Sequence, residues 1–146
     1  MQVSMVPNEY VDKVWPDIKD YLAGAAEYTY GRYTVEDIYD CLKEYEYTLW
    51  IAFNEEGIKG AVVTNFIFYP KKKYLVMTFC GGKDFEQWKE PIIKLLQHWA
   101  YDNGCDGLEA AARFGWSKVL KDCGYKPLWQ TFELPAANAG LGAKDE

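Results

Sequence analysis

The spacing of apolar residues alternates between strand and helix periods and predicts an ordered series of elements. Residues 2–6 alternate polar and apolar side chains, which is typical of a short strand. Residues 8–22 then carry apolar side chains at helical spacing, although Pro16 is expected to interrupt or kink this helix. Thr34 and Asp37 have the spacing of a capping box and predict the start of a second helix.

The middle of the chain predicts a block of strands followed by the strongest helical pattern. The strands are expected at residues 48–53, 58–69 and 74–79. The third is almost wholly apolar, which favours a central position in a sheet. Residues 84–103 form the helix, and Pro91 predicts either a kink in it or a start near Glu90. A short strand (107–112), a helix (116–122) and a last strand (125–134) complete the prediction.

Composition limits what kind of protein this is. The chain has 146 residues, of which 49% are hydrophobic and 26% charged, as in a folded domain. We expect one domain over residues 1–135 and a flexible tail over residues 136–146. No apolar run reaches the roughly 20 residues of a membrane span, and the N-terminus lacks a signal-peptide pattern. The expected location is therefore cytoplasmic, with no membrane partner.

Charge and cysteine usage exclude two common functions. With 16 basic and 22 acidic residues the net charge is −6, so nucleic acid is not an expected partner. The four cysteines include no CxxC pair, and only one histidine is present, so no metal site is expected. An even number of cysteines permits disulfides, but buried free thiols are the expectation.

Two local features accompany this order of elements. The long helix follows the third strand of the block through the short turn Cys80-Gly81-Gly82-Lys83, and Cys123-Gly124-Tyr125 joins the last helix to the last strand. Over residues 2–134 the order β-α-α-β-β-β-α-β-α-β resembles the GNAT acyltransferase superfamily. The chain is also similar to small GNAT-like proteins of tailed phages. The resemblance implies an α/β (α+β) fold, with a mixed, mostly antiparallel central sheet flanked by helices.

The resemblance implies acyl transfer from acetyl-CoA or another acyl-CoA to an amine. It puts the cofactor site at Cys80, Gly81, Gly82 and Lys83, where free N–H groups at a helix start hold the pyrophosphate. The sequence departs from the family here, because the family's Arg or Gln and its Gly-x-Gly spacing are missing. Residues 84–87 are instead expected to form a self-contained capping box, in which Asp84 accepts hydrogen bonds from the amides that a phosphate would use.

Catalytic residues are harder to identify. The family's general acid is a tyrosine four residues before the closing Gly-aromatic pair, and that position is Leu120, which cannot donate a proton. The family often has a glutamate near the end of its central strand, where this chain has none. Glu109 on the following strand is the weak candidate for a catalytic base; a solvated strand carboxylate is the alternative.

Candidate substrate or partner residues come from two segments. The tyrosine-rich loop supplies Tyr30, Arg32 and Tyr33, and the junction of a strand with a helix supplies Arg113 and Trp116. Residues 36–56 hold seven acidic side chains and a single basic one. By resemblance, this acidic stretch suits a cationic acceptor, either a small amine or a protein surface; a solvated helix face is the alternative.

Three functions remain open at this point. The first is an N-acyltransferase with atypical motifs. The second is a catalytically silent GNAT-fold phage protein, which binds a protein partner through its acidic, tyrosine-rich face in the host cytoplasm or the virion. The third is an acidic decoy for a nucleic-acid site, which only the net charge favours. Binding of acyl-CoA separates the first from the others.

Overall fold

The computed structural model describes residues 1–136 and shows, within them, a five-stranded sheet of order β1-β2-β3-β4-β5. Neighbouring strands are antiparallel except for β4 and β5, which run parallel. The elements are β1 (Gln2–Val6), α1 (Val11–Glu27), α2 (Val35–Glu44), β2 (Thr48–Asn54), β3 (Gly57–Phe68), β4 (Lys73–Gly82), α3 (Phe85–Asp102), β5 (Gly107–Ala110) and α4 (Ser117–Asp122), with 3-10 turns at Asn8–Tyr10 and Phe114–Trp116. The predicted fold class is confirmed. The predicted tail lies outside the described residues, apart from Ala136.

Helices cover both faces of the sheet and create two cores. One core joins α1 and α2 to the sheet and includes Ile18, Leu22 and Ile38. The other lies under α3, where Trp50 and Trp88 are each 1% exposed. Burial on both faces explains why the central strands are apolar at nearly every position. None of the helices within residues 1–136 has both the length and the hydropathy of a membrane span.

A β-bulge interrupts the register of β3 and β4. Val63 lies opposite Phe79 and Thr64 lies opposite Met77, so Thr78 is the extra residue. The bulge reverses the alternation of β4, because Met77 packs in the core under α3 whereas Phe79 packs in the core under α1. Nothing in the spacing of apolar residues predicts it.

The start of α2 follows the predicted capping box. The N–H of Asp37 donates to the Thr34 hydroxyl (3.2 Å), and the N–H of Thr34 donates to the Asp37 carboxylate (2.9 Å). The Thr34→Ala variant removes one of the two bonds, and we expect its free energy of unfolding to fall by about 1 kcal/mol. Urea denaturation measures this change, and an unaltered midpoint would show that α2 needs no cap.

The predicted last strand is wrong. Residues 125–134 form no strand, and large apolar side chains there are exposed, with Trp129 at 70% and Phe132 at 83%. Glu133 pairs with Arg32 in the loop after α1 (2.9 Å), which holds this segment beside α1. The side chains of residues 125–134 favour a strand, but a strand also needs a neighbouring strand to pair with and a face to bury. The strand predicted at 107–112 also ends early, at Ala110.

Neither internal proline breaks its helix. Pro16 lies inside α1 and Pro91 lies inside α3, which begins at Phe85 and not near Glu90. Packing against the sheet outweighs the single hydrogen bond that each proline removes.

Candidate functional site

The second half of β4 has one free edge. Beyond Met77 and Ala110, β4 and β5 no longer pair, although β4 continues to Gly82. Within residues 78–82, the free edge of β4, residues 79–82 pair with β3 on one side, and none of the five pairs with a strand described within residues 1–136 on the other. Since α3 begins three residues after β4 ends, the free edge leads directly to a helix N-terminus.

The glycines of the turn after β4 are explained by packing within the chain. A Cβ on Gly81 would lie 2.1 Å from the carbonyl oxygen of Tyr21 in α1. A Cβ on Gly82, which has φ +148°, would lie 2.5 Å from the carbonyl oxygen of Lys59. The two glycines are thus required whether or not a phosphate binds, and substitutions there cannot test cofactor binding without disturbing the fold.

Two hydrogen bonds fix the peptide groups of Lys83. Its N–H donates to the carbonyl of Lys59 (2.8 Å), and its carbonyl accepts from the indole N–H of Trp88 (2.8 Å). The Lys83 side chain remains exposed at the start of α3. A backbone held by two hydrogen bonds, with an exposed ammonium group beside it, is a suitable arrangement for binding an anion at this helix terminus.

The predicted capping box at residues 84–87 is wrong. Asp84 adopts the left-handed conformation (φ 57°), and within residues 1–136 no side chain caps α3. The N–H of Gln87 instead bonds the backbone carbonyl of Asp84 (2.8 Å). Aspartate tolerates this conformation better than most residues, and the sharp turn from β4 into α3 requires it. The carboxylate therefore does not compete with an anion for the first amides of α3.

Arg113 and Trp116 connect the chain that follows β5 to the end of α1 and the start of α3. The guanidinium of Arg113 stacks over Tyr28 at the end of α1 (3.8 Å). The ring of Trp116 meets Phe85, and Phe85 in turn meets Trp88, with centroids 5.2 and 4.7 Å apart. Both predicted residues therefore have a packing partner, Arg113 at the end of α1 and Trp116 at the start of α3.

The three predicted residues of the tyrosine-rich loop do not converge. Tyr33 packs edge-on against Phe79 in the core (5.0 Å), and Arg32 is paired with Glu133. Tyr30 is 79% exposed and has φ 56°. Of the three, only Tyr33 reaches the bulged region of β4.

Cys80 belongs to the free edge of β4, and its thiol has a raised pKa. Burial raises the pKa of Cys80 to about 12, and the neighbouring Cys123 acts in the same direction. Burial also raises the pKa of Tyr125, whose hydroxyl finds no hydrogen-bond partner within residues 1–136. The thiolate, which is the reactive form, is therefore disfavoured at Cys80. Within residues 1–136, no three metal-ligating side chains lie close enough together to hold a metal ion.

Glu109 lies one strand away from the bulge, opposite Val76. Both of its carboxylate oxygens accept the hydroxyl proton of Tyr69, at 3.0 and 3.1 Å. This hydrogen bond and the adjacent negative charge raise the pKa of Tyr69. Glu109 is thus oriented by a partner on the β3–β4 connection, which an unengaged surface carboxylate would not be.

Three residues of this region were not predicted from the sequence. Thr78, at the bulge, donates a short hydrogen bond to the side chain of Asn65 on β3. Tyr69 orients Glu109 from outside the strands. Asn65 was the signal in the sequence, because it places an amide within the mostly apolar second half of β3.

Comparisons with solved structures show the same architecture. A protein described as a probable acetyltransferase superposes with a TM-score of 0.70 at 13% identity, covering 95% of this chain and 100% of its own. An aminoglycoside acetyltransferase from an uncultured soil metagenomic sample, in complex with sisomicin, gives 0.65 at 11% identity, covering 93% and 95%. A transcriptional regulator from Bacillus halodurans gives 0.64 at 13% identity, covering 92% and 98%.

The superpositions establish the fold, and identities this low leave the activity open. No protein-family model and no curated protein matches the sequence. The fold is GNAT-like, as the resemblance implied, although the last strand of the predicted order is absent within residues 1–136. Acetyltransferases are among the structures that share the fold.

Proposed function

We propose that the protein is an N-acyltransferase that moves an acyl group from acyl-CoA to an amine. The observation that carries the proposal is the free edge of β4, which starts at the bulge and ends at the uncapped N-terminus of α3. A free strand edge offers peptide N–H and C=O groups to the amide groups of an extended ligand such as acyl-CoA. An uncapped helix start offers N–H groups to a phosphate.

Each end of this edge would perform a different part of the reaction. Lys83 and the first amides of α3 would hold the pyrophosphate, because an ammonium group and a helix dipole both favour an anion. Acyl-CoA supplies the acyl group in activated form, as a thioester. At the bulge, Thr78 has no partner in the register with β3, and its N–H would bind the developing oxyanion.

Glu109 would serve as the base. Its carboxylate would take the proton that the amine loses on attacking the acyl carbonyl, and Tyr69 would keep the carboxylate in position. The acyl–sulfur bond breaks and the amide bond forms. Leu120, at the position of the family's acid, packs against the core under α3 and gives no proton to the departing thiolate, which leaves as an anion or takes a proton from solvent.

Release of free CoA thiol tests this function. The protein would be incubated with acetyl-CoA and a set of primary amines, and the thiol produced compared with reactions lacking either the amine or the protein. Amine-dependent release supports the proposal, and its absence over the whole set counts against transfer to amines.

Reversing the charge of Lys83 should selectively weaken the binding of acyl-CoA. For Lys83→Glu we expect about a tenfold rise in KM for acetyl-CoA, since an attractive charge becomes a repulsive one beside the helix terminus. The matched control is Lys71→Glu, which reverses an exposed charge on the β3–β4 connection. Equal KM values for the two variants would remove Lys83 from the site.

A second candidate is a GNAT-fold protein that binds a partner and catalyses nothing. One observation favours it: Trp116 contacts Phe85, and Cys123 and Tyr125 pack beside Cys80 at the core under α3. These side chains crowd the free edge of β4. Under this alternative acetyl-CoA does not bind; a phage source and a virion location remain predictions.

A further inference from the structure

A groove lies at the opposite end of the sheet, where β3 extends beyond β2. The last pair between these strands is Thr48 with Thr64, so residues 65–68, the β3 overhang, have no neighbour on the β2 side within residues 1–136. The groove has a volume of about 760 Å³. Its walls are the end of β1, the chain from Leu42 to Thr48, the β3 overhang and Trp99 of α3.

Register determines which backbone groups of the overhang face this groove. The N–H of Tyr69 donates to the carbonyl of Lys72 (2.7 Å) at the connection to β4. Hydrogen-bonded pairs alternate along antiparallel strands, so residues 65 and 67 bond β4, while Phe66 and Phe68 point their N–H and C=O groups the other way. The bond from the Asn65 side chain to the Phe66 carbonyl agrees with this assignment (3.4 Å).

The rim of the groove is acidic. Glu44 and Glu46 line it, are exposed, and form no ion pair within residues 1–136. The one cation in the lining, Lys43, is already bound to Asp12 (3.4 Å) and to the carbonyl of Asn8 (3.4 Å). On the other wall the ammonium group of Lys73 lies over the rings of Phe66 and Phe68, 4.6 and 5.2 Å from their centroids, and donates to the carbonyl of Asn103 (2.6 Å). The negative charge is therefore on the wall formed by Glu44 and Glu46, which faces the β3 overhang.

The groove also exposes apolar surface. Tyr45, on the wall that faces the overhang, is 63% exposed. Phe68, at the end of the overhang, is 72% exposed. The indole N–H of Trp99 is buried without a partner within residues 1–136. A ligand that matches this surface combines hydrogen-bonding backbone, positive charge and some apolar contact.

We propose that the groove binds a basic peptide segment in an extended conformation, added as a strand to the β3 overhang. The N–H and C=O groups of Phe66 and Phe68 have the two-residue spacing that an extended backbone matches. Lysine or arginine side chains of the peptide meet Glu44 and Glu46. A small amine satisfies the carboxylates but leaves the strand edge unpaired, which is why the edge selects a peptide. This site is separate from the acyl-transfer proposal, and neither depends on the other.

Fluorescence anisotropy at low salt tests the binding. The probe is a fluorescein-labelled hexapeptide with lysine and valine alternating three times, and the full-length protein is the titrant. We expect saturable binding, and about threefold to tenfold weaker binding by the double variant Glu44→Gln/Glu46→Gln, since exposed ion pairs each make a modest contribution. The control Glu55→Gln/Glu90→Gln removes the same charge elsewhere and should bind like the wild type.

A second peptide distinguishes strand addition from attraction between charges. The same hexapeptide, N-methylated at every residue, keeps its charges but donates no backbone hydrogen bond, and we expect its binding to be lost. Equal affinity for the two peptides would overturn the proposal. A stable dimer in sedimentation experiments that excludes the probe would also overturn it, because a second copy would then occupy the edge.

Discussion

Gly81→Ala is expected to lower the free energy of unfolding by about 3 kcal/mol or more, the upper end of the cost of overpacking a core. The new Cβ would lie 2.1 Å from the carbonyl oxygen of Tyr21, and that atom belongs to the backbone of α1. Neither side yields easily, because Gly81 is paired with Ala61 in the sheet and α1 is packed over it.

Gly24→Ala is the matched control. Gly24 lies in α1 with nothing within 4 Å of its virtual Cβ, so the same added methyl group should stabilise the protein by roughly 0.5–1 kcal/mol through helix propensity. Urea unfolding followed by circular dichroism measures both. A Gly81→Ala variant as stable as the wild type would mean that α1 does not approach β4 this closely.

Glu109→Gln is expected to lower kcat about 10²- to 10⁴-fold, the range typical of losing a general base. The substitution keeps the size of the side chain and a hydrogen-bond partner for Tyr69, so the fold should be retained. Glu27→Gln, at the end of α1, is the control for removing one exposed carboxylate. Unchanged kcat in Glu109→Gln would show that Glu109 is a surface carboxylate and that the base lies elsewhere.

The same variant gives a readout that does not need activity. The carboxylate of Glu109 raises the pKa of Tyr69, because a phenolate beside it would be repelled and would lose its hydrogen bond. Glu109→Gln removes the charge, so the pKa of Tyr69 should fall toward its ordinary value. Ultraviolet titration, with Tyr69→Phe to identify the signal, measures the shift. A pKa of Tyr69 that does not move would show that the two side chains do not interact in solution.

The sequence predicted most of the fold because its patterns depend on neighbouring residues. Thr34 and Asp37 form their cap locally, and the apolar run of β4 indicates burial on both faces. The last strand failed for the opposite reason. Residues 125–134 have the composition of a strand, but they pair with no strand within residues 1–136, and the contact that they make with Arg32 through Glu133 joins residues distant in the sequence.

The candidate site was predicted in outline only. Glu109 was named, but Tyr69, Thr78 and Asn65 were not, since a bulge and a long-range hydrogen bond leave no periodic signal. Gly81 was linked to a phosphate when its Cα in fact lies against α1. A glycine shows that something approaches closely, without showing what it is.

Calorimetric titration of the protein with acetyl-CoA tests the central claim most directly. The account predicts a dissociation constant between about 1 μM and 1 mM, within the usual range of enzyme–substrate affinities. It also predicts about tenfold weaker binding by Lys83→Glu, with Lys71→Glu unchanged. Absence of binding at millimolar acetyl-CoA would contradict it and leave a GNAT-like fold that serves to bind a partner.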